Sequence, residues 1–494
     1  TPRFTYHGFR YVEIAGAAAK PDLEKLKGEV IYDAMPTTGR FETSDSTINQ
    51  VYRNAYWGLR GNYRSMPTDC PQRDERMGWL GDRAMECIGE SFMFRQALLY
   101  EKWARDIRDS QLPDGMIPDL SPTYWPFYSE NVTYPAAYLC VVDMLYNQYG
   151  DEKAVREHYP AMKKWIDYAN ERLVENDIVV KDVYGDWCMP PESPELIHSQ
   201  DPARVTDGRL VGTSFFYRLL NMMARFAAVA GHEEDIPAYL EQAARVKDAY
   251  NRMFLNPETG QYANNTVSAG LLSLVQGLVP DTLKQKVFDE LVRRTEVDFD
   301  SHVSTGMIGM QFMMRGLSRY GRPDLALTLA TNRTYPSWGY MIDRGATTIW
   351  ELWNGDTADP AMNSGNHLMQ LGDLIAWDWE NLAGIQADPA APGFKHILMK
   401  PDFPQGLEWV DASYESMYGT IGSHWKRTGG GLSWSVEIPA NTTATLRVPA
   451  SDVSQVEADG KPLAENPALT DVRASDGFVT FEAGSGSYRF LVGK

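Results

Sequence analysis

Asp69-Cys70-Pro71-Gln72-Arg73-Asp74-Glu75-Arg76-Met77-Gly78-Trp79-Leu80-Gly81-Asp82 gathers four carboxylates and two arginines into fourteen positions, packed between the rigidifying residues Pro71, Gly78 and Gly81. Pro71, Gly78 and Gly81 interrupt a continuous helix, so the stretch reads as a loop leading to a helix that begins near Asp82, with Asp82 as its N-cap. A charged loop is ordinarily a solvated turn. Met77 and Trp79 are poor residues for such a turn, whereas an indole beside clustered carboxylates is what a sugar pocket needs: an apolar platform for the ring face and acceptors for its hydroxyls.

The same run, Asp-Cys-Pro-Gln-Arg-Asp-Glu-Arg followed by Gly-Trp and Gly-Asp, closely resembles the signature of the α-L-rhamnosidases of glycoside hydrolase family 78. The resemblance implies an (α/α)6 barrel, hydrolysis of terminal α-L-rhamnosyl groups with inversion, and a general acid on the glutamate of the motif, which is Glu75 here.

Composition bounds the answer around that motif. At 494 residues a large domain plus a smaller one is expected. A net charge of -19 argues against nucleic acid, whose phosphates need a basic face, and against anionic membranes. No apolar run approaches the roughly 20 residues of a spanning helix, so no membrane insertion is expected. Cys70, Cys87, Cys140 and Cys188 lie far apart with no paired spacing and read as buried thiols, indicating neither a zinc site nor a dense disulfide framework. The 14 Trp, 26 Tyr and 18 Phe exceed what a core of this size requires, which suits a carbohydrate cleft.

Residue 1 is Thr and no signal-like segment follows it. The aromatic and β-branched run from Phe4 to Ile14 reads as the last strand of an upstream β-domain, so residues 1–42 are taken as that strand and its linker. Compartment stays open, with periplasmic or extracellular favoured over cytoplasmic, and the assembly expected is a monomer or homodimer.

From 43 to 400 helical patterns follow one another. Helices are expected over Asp45–Leu59, Arg83–Phe94, Asp151–Leu173, Thr213–Ala230, Ile236–Phe254 and Asp281–Arg293. Val155, Tyr159, Met162, Trp165, Ile166 and Ala169 form one apolar stripe, while Phe216, Leu219, Leu220, Met223, Phe226 and Ala227 mark a helix buried over much of its girth. No βαβ alternation intervenes, so periodicity gives a mainly α domain, and the resemblance makes it the barrel. From 401 to 494 the texture changes to polar–apolar alternation at Leu432–Ile438, Thr443–Val448, Val479–Phe481 and Tyr488–Val492, read as an antiparallel β-sandwich. It is expected to cap the helical domain rather than bind carbohydrate.

A second chemical centre is Gly345-Ala346-Thr347-Thr348-Ile349-Trp350-Glu351-Leu352-Trp353. On residues alone, Glu351 among tryptophans is equally a catalytic group and a satisfied core acid. The run resembles the family's Ala-Thr-Thr-X-Trp-Glu-X-Trp, in which the glutamate activates water as general base. By the same resemblance His367, in Ser364-Gly365-Asn366-His367, takes a sugar hydroxyl, and Trp187, in Tyr184-Gly185-Asp186-Trp187, is a ring platform. Trp338 and Trp353 join the substrate-binding set, Trp338 and His302 having a structural reading as well. One segment departs: Ser129-Glu130-Asn131-Val132 stands where relatives have Trp-Gly-Asp-Ala, which puts the sugar contacts there in doubt.

The resulting expectation is an inverting glycosidase with Glu75 as acid and Glu351 as base, facing each other across one pocket about 6.5–9.5 Å apart. Asp69, Arg73, Asp74, Trp79 and Asp82 would hold rhamnose or tune Glu75, with no metal and no cofactor. A helical-barrel glycosidase for another sugar and a catalytically silent carbohydrate-binding protein are the alternatives. A polysaccharide lyase would leave both acid motifs unexplained.

Overall fold

The helical domain starts where side-chain chemistry can close a helix end. In the computed structural model, which describes residues 3, 5–84, 86–123, 125–193, 195–359 and 363–493, the Asp45 carboxylate accepts the amides of Thr47 at 2.8 Å and Ile48 at 3.0 Å, and Ser46–Gly61 follows. Those are two of the four donors that a helix start leaves open. Asp151 and Asp207 repeat the device before Glu152–Arg172 and Gly208–Ala230. Gly150 closes Ala136–Tyr149 in the left-handed region, where a Cβ would be strained. Both apolar patterns read from the sequence, Val155 to Ala169 and Phe216 to Ala227, are buried.

Successive helices pack side by side. Ala97–Asp109, Ala136–Tyr149, Glu152–Arg172, Gly208–Ala230 and Ile236–Phe254 form one continuous run. Val267–Val275, Lys284–Arg293, Met307–Arg319 and Pro323–Thr331 continue it, and Ser46–Gly61 closes the ring against Pro323–Thr331 and Trp338–Asp343. Asp82, expected at the start of a helix, lies inside the 3-10 turn Gly81–Arg83, ahead of the helix Glu86–Met93, with its carboxylate 3.8 Å from His367 Nδ1.

The C-terminal part is two packed sheets. One orders the strands Gly39–Thr43, Trp409–Ser416, Gly419–Thr428, Gly431–Ile438, Gly486–Gly493, Val456–Ala458 and Lys461–Pro462, and the other Leu469–Ser475, Phe478–Ala483, Thr443–Val448, His396–Met399 and Ile385–Ala387. Phe481 and Phe490 meet between the sheets with centroids 5.0 Å apart. All pairings are antiparallel except Thr443–Leu446 on His396–Met399. The strands Gly39–Thr43, Ile385–Ala387 and His396–Met399 lie upstream of residue 401 and are too short for alternation to announce them.

Contacts lock the sandwich onto the barrel. Trp425 donates its indole N–H to Leu382 O at 2.8 Å, and Phe92 meets Tyr414 edge-on at 5.1 Å. The strand expected over Phe4–Ile14 does not form over residues 5–14, and Phe4 lies outside the described residues. A strand needs a neighbour for its amides, and Phe9, Tyr11 and Val12 stand exposed instead.

Candidate active site

The signature loop is tied at its base by one residue pair. Asp69 N–H donates to Met77 O at 2.9 Å, and Met77 N–H donates to Asp69 Oδ1 at 2.6 Å, so residues 70–76 project as a knob. Gly78 must be glycine, because a Cβ there would sit 2.0 Å from Ser121 O. Below the knob, the buried Arg83 pairs with Glu90 and donates to Thr68 O at 2.8 Å. A charge buried this deeply is tolerated because it is paired and hydrogen-bonded.

Arg73 joins the two predicted catalytic acids. Its Nε donates to Glu75 Oε2 at 2.9 Å, and its two terminal nitrogens grip Glu351 at 2.8 and 3.0 Å in a bidentate fork. One guanidinium nitrogen lies 2.6 Å from Glu75 and 3.0 Å from Glu351, so the nearest oxygens of the two carboxyls are closer than the roughly 6.5–9.5 Å of an inverting pair. The two acids thus lie side by side, with the guanidinium between them.

Their electrostatic settings differ. Burial, together with the Asp69 anion, raises Glu75 above the usual carboxylate range against the opposing pull of Arg73 and of the Trp79 indole N–H, which donates to Oε1 at 2.7 Å. Burial pushes Glu351 up as well, but His367, Arg73 and the Ser364 amide, donating at 2.7 Å, hold it below that range. His367 Nδ1 accepts the amides of Leu368 at 3.0 Å and Met369 at 3.1 Å, which leaves Nε2 facing Asp69. Arg73 is the permanently charged group on Glu351.

A pH dependence follows from these directions. Were Glu75 to act protonated and Glu351 ionised, kcat/KM would be bell-shaped with an acid limb from Glu351 and a basic limb from Glu75. Arg73 lowers both carboxyls, so Arg73→Met removes that influence and is expected to move both limbs to higher pH. A pH–kcat/KM profile of the variant with unmoved limbs would refute the assignment.

Around the pair, His367 lies between two buried acids, Nε2 3.9 Å from Asp69 Oδ2 and Nδ1 3.8 Å from Asp82 Oδ1. Burial, countered by His367, raises Asp82 to about 6. Asp69 Oδ2 has no hydrogen-bond partner, leaving a buried acceptor for a ligand hydroxyl or water. Burial and the Asp69 anion also push the Cys70 thiol up, the opposite of what an activated thiolate requires.

An aromatic arc borders these groups. From Trp79 it runs to Tyr134 at 6.0 Å, to Tyr184 at 4.1 Å, to Trp187 at 6.1 Å and to His198 at 4.7 Å; in the other direction Trp79 meets Phe127 at 5.7 Å. Its centre is buried at Tyr134 and its ends are open at Phe127 and Trp187.

The structure therefore brings Asp69, Arg73, Glu75, Trp79, Asp82, Glu351 and His367 together, with Trp187 at the far end of the arc. Asp74 stands apart: its side chain is fully exposed and turned to Arg76 at 3.7 Å. Trp338 and Trp353 are buried in edge contact with each other at 5.6 Å, behind Glu351 rather than open to a ligand. His302 has the structural role, its Nε2 paired with Thr334 Oγ1 at 2.7 Å. Asp186 accepts the amides of Gly306, Ile308 and Gly309, an anion at a helix start that fixes the neighbouring Trp187. In the departing segment Glu130 is a surface group on Lys181, while Ser129 and Asn131 both donate to the buried Asp119. Asp119, which also accepts from Tyr184 at 2.8 Å, went unread because a lone acid after Ile117-Pro118 carries no pattern. Phe127 and His198 were missed for the same reason.

Comparison with known proteins accounts for this assembly. The bacterial alpha-L-rhamnosidase 6 hairpin glycosidase domain matches residues 36–382, the C-terminal domain of the same enzymes matches 384–461, and their concanavalin-like domain matches 1–32. An alpha-L-rhamnosidase of Streptomyces avermitilis is 33% identical over 99% of this chain and 45% of its own length, and one of Formosa agariphila is 32% identical over 99% of the chain and 52% of its length. The structure of alpha-L-rhamnosidase from Dictyoglumus thermophilum superposes with a TM-score of 0.92 at 33% identity, covering 100% of this chain and 55% of that one. The Streptomyces avermitilis enzyme complexed with L-rhamnose gives 0.90 at 33% identity, covering 99% and 45%. The chain spans about half the length of these relatives. With the helical domain and the C-terminal domain matched in the same order, the chain belongs to the bacterial α-L-rhamnosidase family.

Proposed function

We propose that the protein is an inverting glycoside hydrolase that releases terminal α-L-rhamnose from plant polysaccharides, oligosaccharides or glycosides. The observation that carries the reading is a pair of glutamates bridged by Arg73, one raised and the other lowered from the usual carboxylate range. Glu75 gives its proton to the glycosidic oxygen as the C1–O bond breaks and that oxygen keeps the electron pair. Glu351 takes a proton from the water whose oxygen bonds to C1 on the opposite face. Asp69, Asp82 and His367 offer acceptors and a donor for the sugar hydroxyls, and Trp79 or Trp187 offers an apolar face to the C6 methyl.

A second reading rests on the close spacing across Arg73, which is nearer that of retaining enzymes, about 5–5.5 Å. On the inverting reading, sugar and water enter as Arg73 gives up one of its two partners. Aryl α-L-rhamnoside, α-L-arabinoside and α-L-fucoside compared under one condition, with the first released anomer followed by proton NMR, test both points. Preferential turnover of the rhamnoside with β-L-rhamnose appearing first is expected. The α anomer first would make Glu351 a nucleophile, a preference for another sugar would keep the machinery and change the substrate, and no turnover would leave a sugar-binding protein.

A further inference from the structure

The outer face of the seven-stranded sheet carries a groove that its docking on the helical domain does not use. Val410, Trp425 and Trp434 are buried on the inner face, and alternation along the three strands sends Trp409, Asp411, His424, Lys426, Ser433 and Ser435 to the other. Register sets these side chains in two rows. Trp409, Lys426 and Ser433 are successive cross-strand partners in one, and Asp411, His424, Ser435 and Arg489 in the next. The two serines of the middle strand are too short to fill the space between the longer side chains flanking them, and a groove of about 430 Å³ stays open above them.

The charges around this floor do not cancel. Asp411, the carboxylate of the lining, is matched by His424 across the strand pair and by Arg40 at 3.5 Å. Asp459 accepts the Arg489 amide at 2.9 Å. Among the described residues neither Lys426 Nζ nor the Arg489 guanidinium has a hydrogen-bond or ion-pair partner, and both side chains are exposed. They stand two strands apart, about 10 Å across the serine floor. The chain as a whole carries -19, yet exposed acids more than about 8–10 Å away are screened at physiological salt, so an anion over the groove meets a locally positive surface. Two cations held this far apart do not converge on one small anion. With the half-buried indole of Trp409 for a ring face and two serine hydroxyls on the floor, they suit a chain of sugar rings that carries anionic groups along its length.

We infer that this groove is a second carbohydrate site, one that binds an acidic oligosaccharide on the face of the sandwich turned away from the helical domain, with Lys426 and Arg489 taking its anionic groups. The inference goes beyond the rhamnosidase reading and does not rest on it. Calorimetric titration of the whole chain with an oligogalacturonate, a sulfated galactan oligosaccharide, a neutral galactan oligosaccharide and a short single-stranded DNA tests it. At least one acidic oligosaccharide is expected to bind at least about 10-fold more tightly than the neutral one and the DNA, and the arm that binds tells carboxylate from sulfate. The Lys426→Glu/Arg489→Glu double variant should weaken that binding at least about 10-fold, the scale of two lost charge-assisted hydrogen bonds. Ser435→Trp fills the floor without changing charge and should weaken it as well, which diffuse attraction to the surface would not show. Near-UV circular dichroism checks that each variant keeps its fold. No binding of either acidic oligosaccharide, equal binding of the neutral one or the DNA, or binding that a folded variant leaves unmoved overturns the site. Because turnover is not among the readouts, its failure and that of the rhamnosidase reading are told apart.

Discussion

Glu351→Gln is expected to lower kcat on an aryl α-L-rhamnoside by about 10³-fold or more, with KM changed only a few-fold. A positioned general base contributes about 10²- to 10⁴-fold, and this one is ionised at neutral pH because Arg73 and the Ser364 amide hold it so. The amide keeps the side chain's shape but cannot take a proton from water. Its NH2 also faces donors on Arg73 and Ser364, so one hydrogen bond to this site is lost at a cost of about 1–3 kcal/mol of stability, which a thermal melt reads as a small shift. A second consequence distinguishes a base from a merely structural acid. With the Glu351 anion gone, the Arg73 charge beside Glu75 is uncompensated, so Glu75 loses its proton at lower pH and the basic limb of any residual activity moves down. Retention of wild-type kcat, or a residual profile with an unmoved basic limb, would assign the base elsewhere, with Asp82 next in line by position.

How much of this was legible before folding divides along physical lines. Glu75 stands out in a charge-dense loop, whereas Glu351 reads equally as a core acid on its residues alone and is singled out by the resemblance of its Trp-flanked run. The helical series was readable because caps such as Asp45 and Asp151 and the 151–173 stripe are local signals. The Arg73 bridge was not: it joins positions 73 and 351, a contact that exists only after the ring of helices closes. Asp74 looked equivalent to Glu75 in the sequence, yet the knob between Asp69 and Met77 turns one side chain out and its neighbour in. Trp338 and Trp353 carried the composition of a sugar platform and went into the core, since an indole serves either purpose and only packing chooses. Asp119 organises the Phe127 segment through three side-chain donors drawn from residues 129, 131 and 184, and no periodicity marks such a hub.

Glu75→Gln carries the second large effect and depends on what is leaving. A general acid matters most when the departing oxygen is a poor leaving group, so loss of the proton should cost about 10²- to 10⁴-fold on an alkyl or sugar rhamnoside. A dinitrophenolate departs without help, and on that substrate the loss should be small, within about 10-fold, because the advantage of protonation falls with leaving-group pKa. Gln also preserves an acceptor for the Trp79 indole N–H, so the sugar pocket should stay formed. The measurement that tests the account most directly is therefore kcat/KM of Glu75→Gln relative to wild type on methyl and on 2,4-dinitrophenyl α-L-rhamnoside. The account predicts a severe loss on the first and near-normal turnover on the second. Equal losses on both would contradict it, making Glu75 a residue that positions the sugar and passing the proton to Asp69.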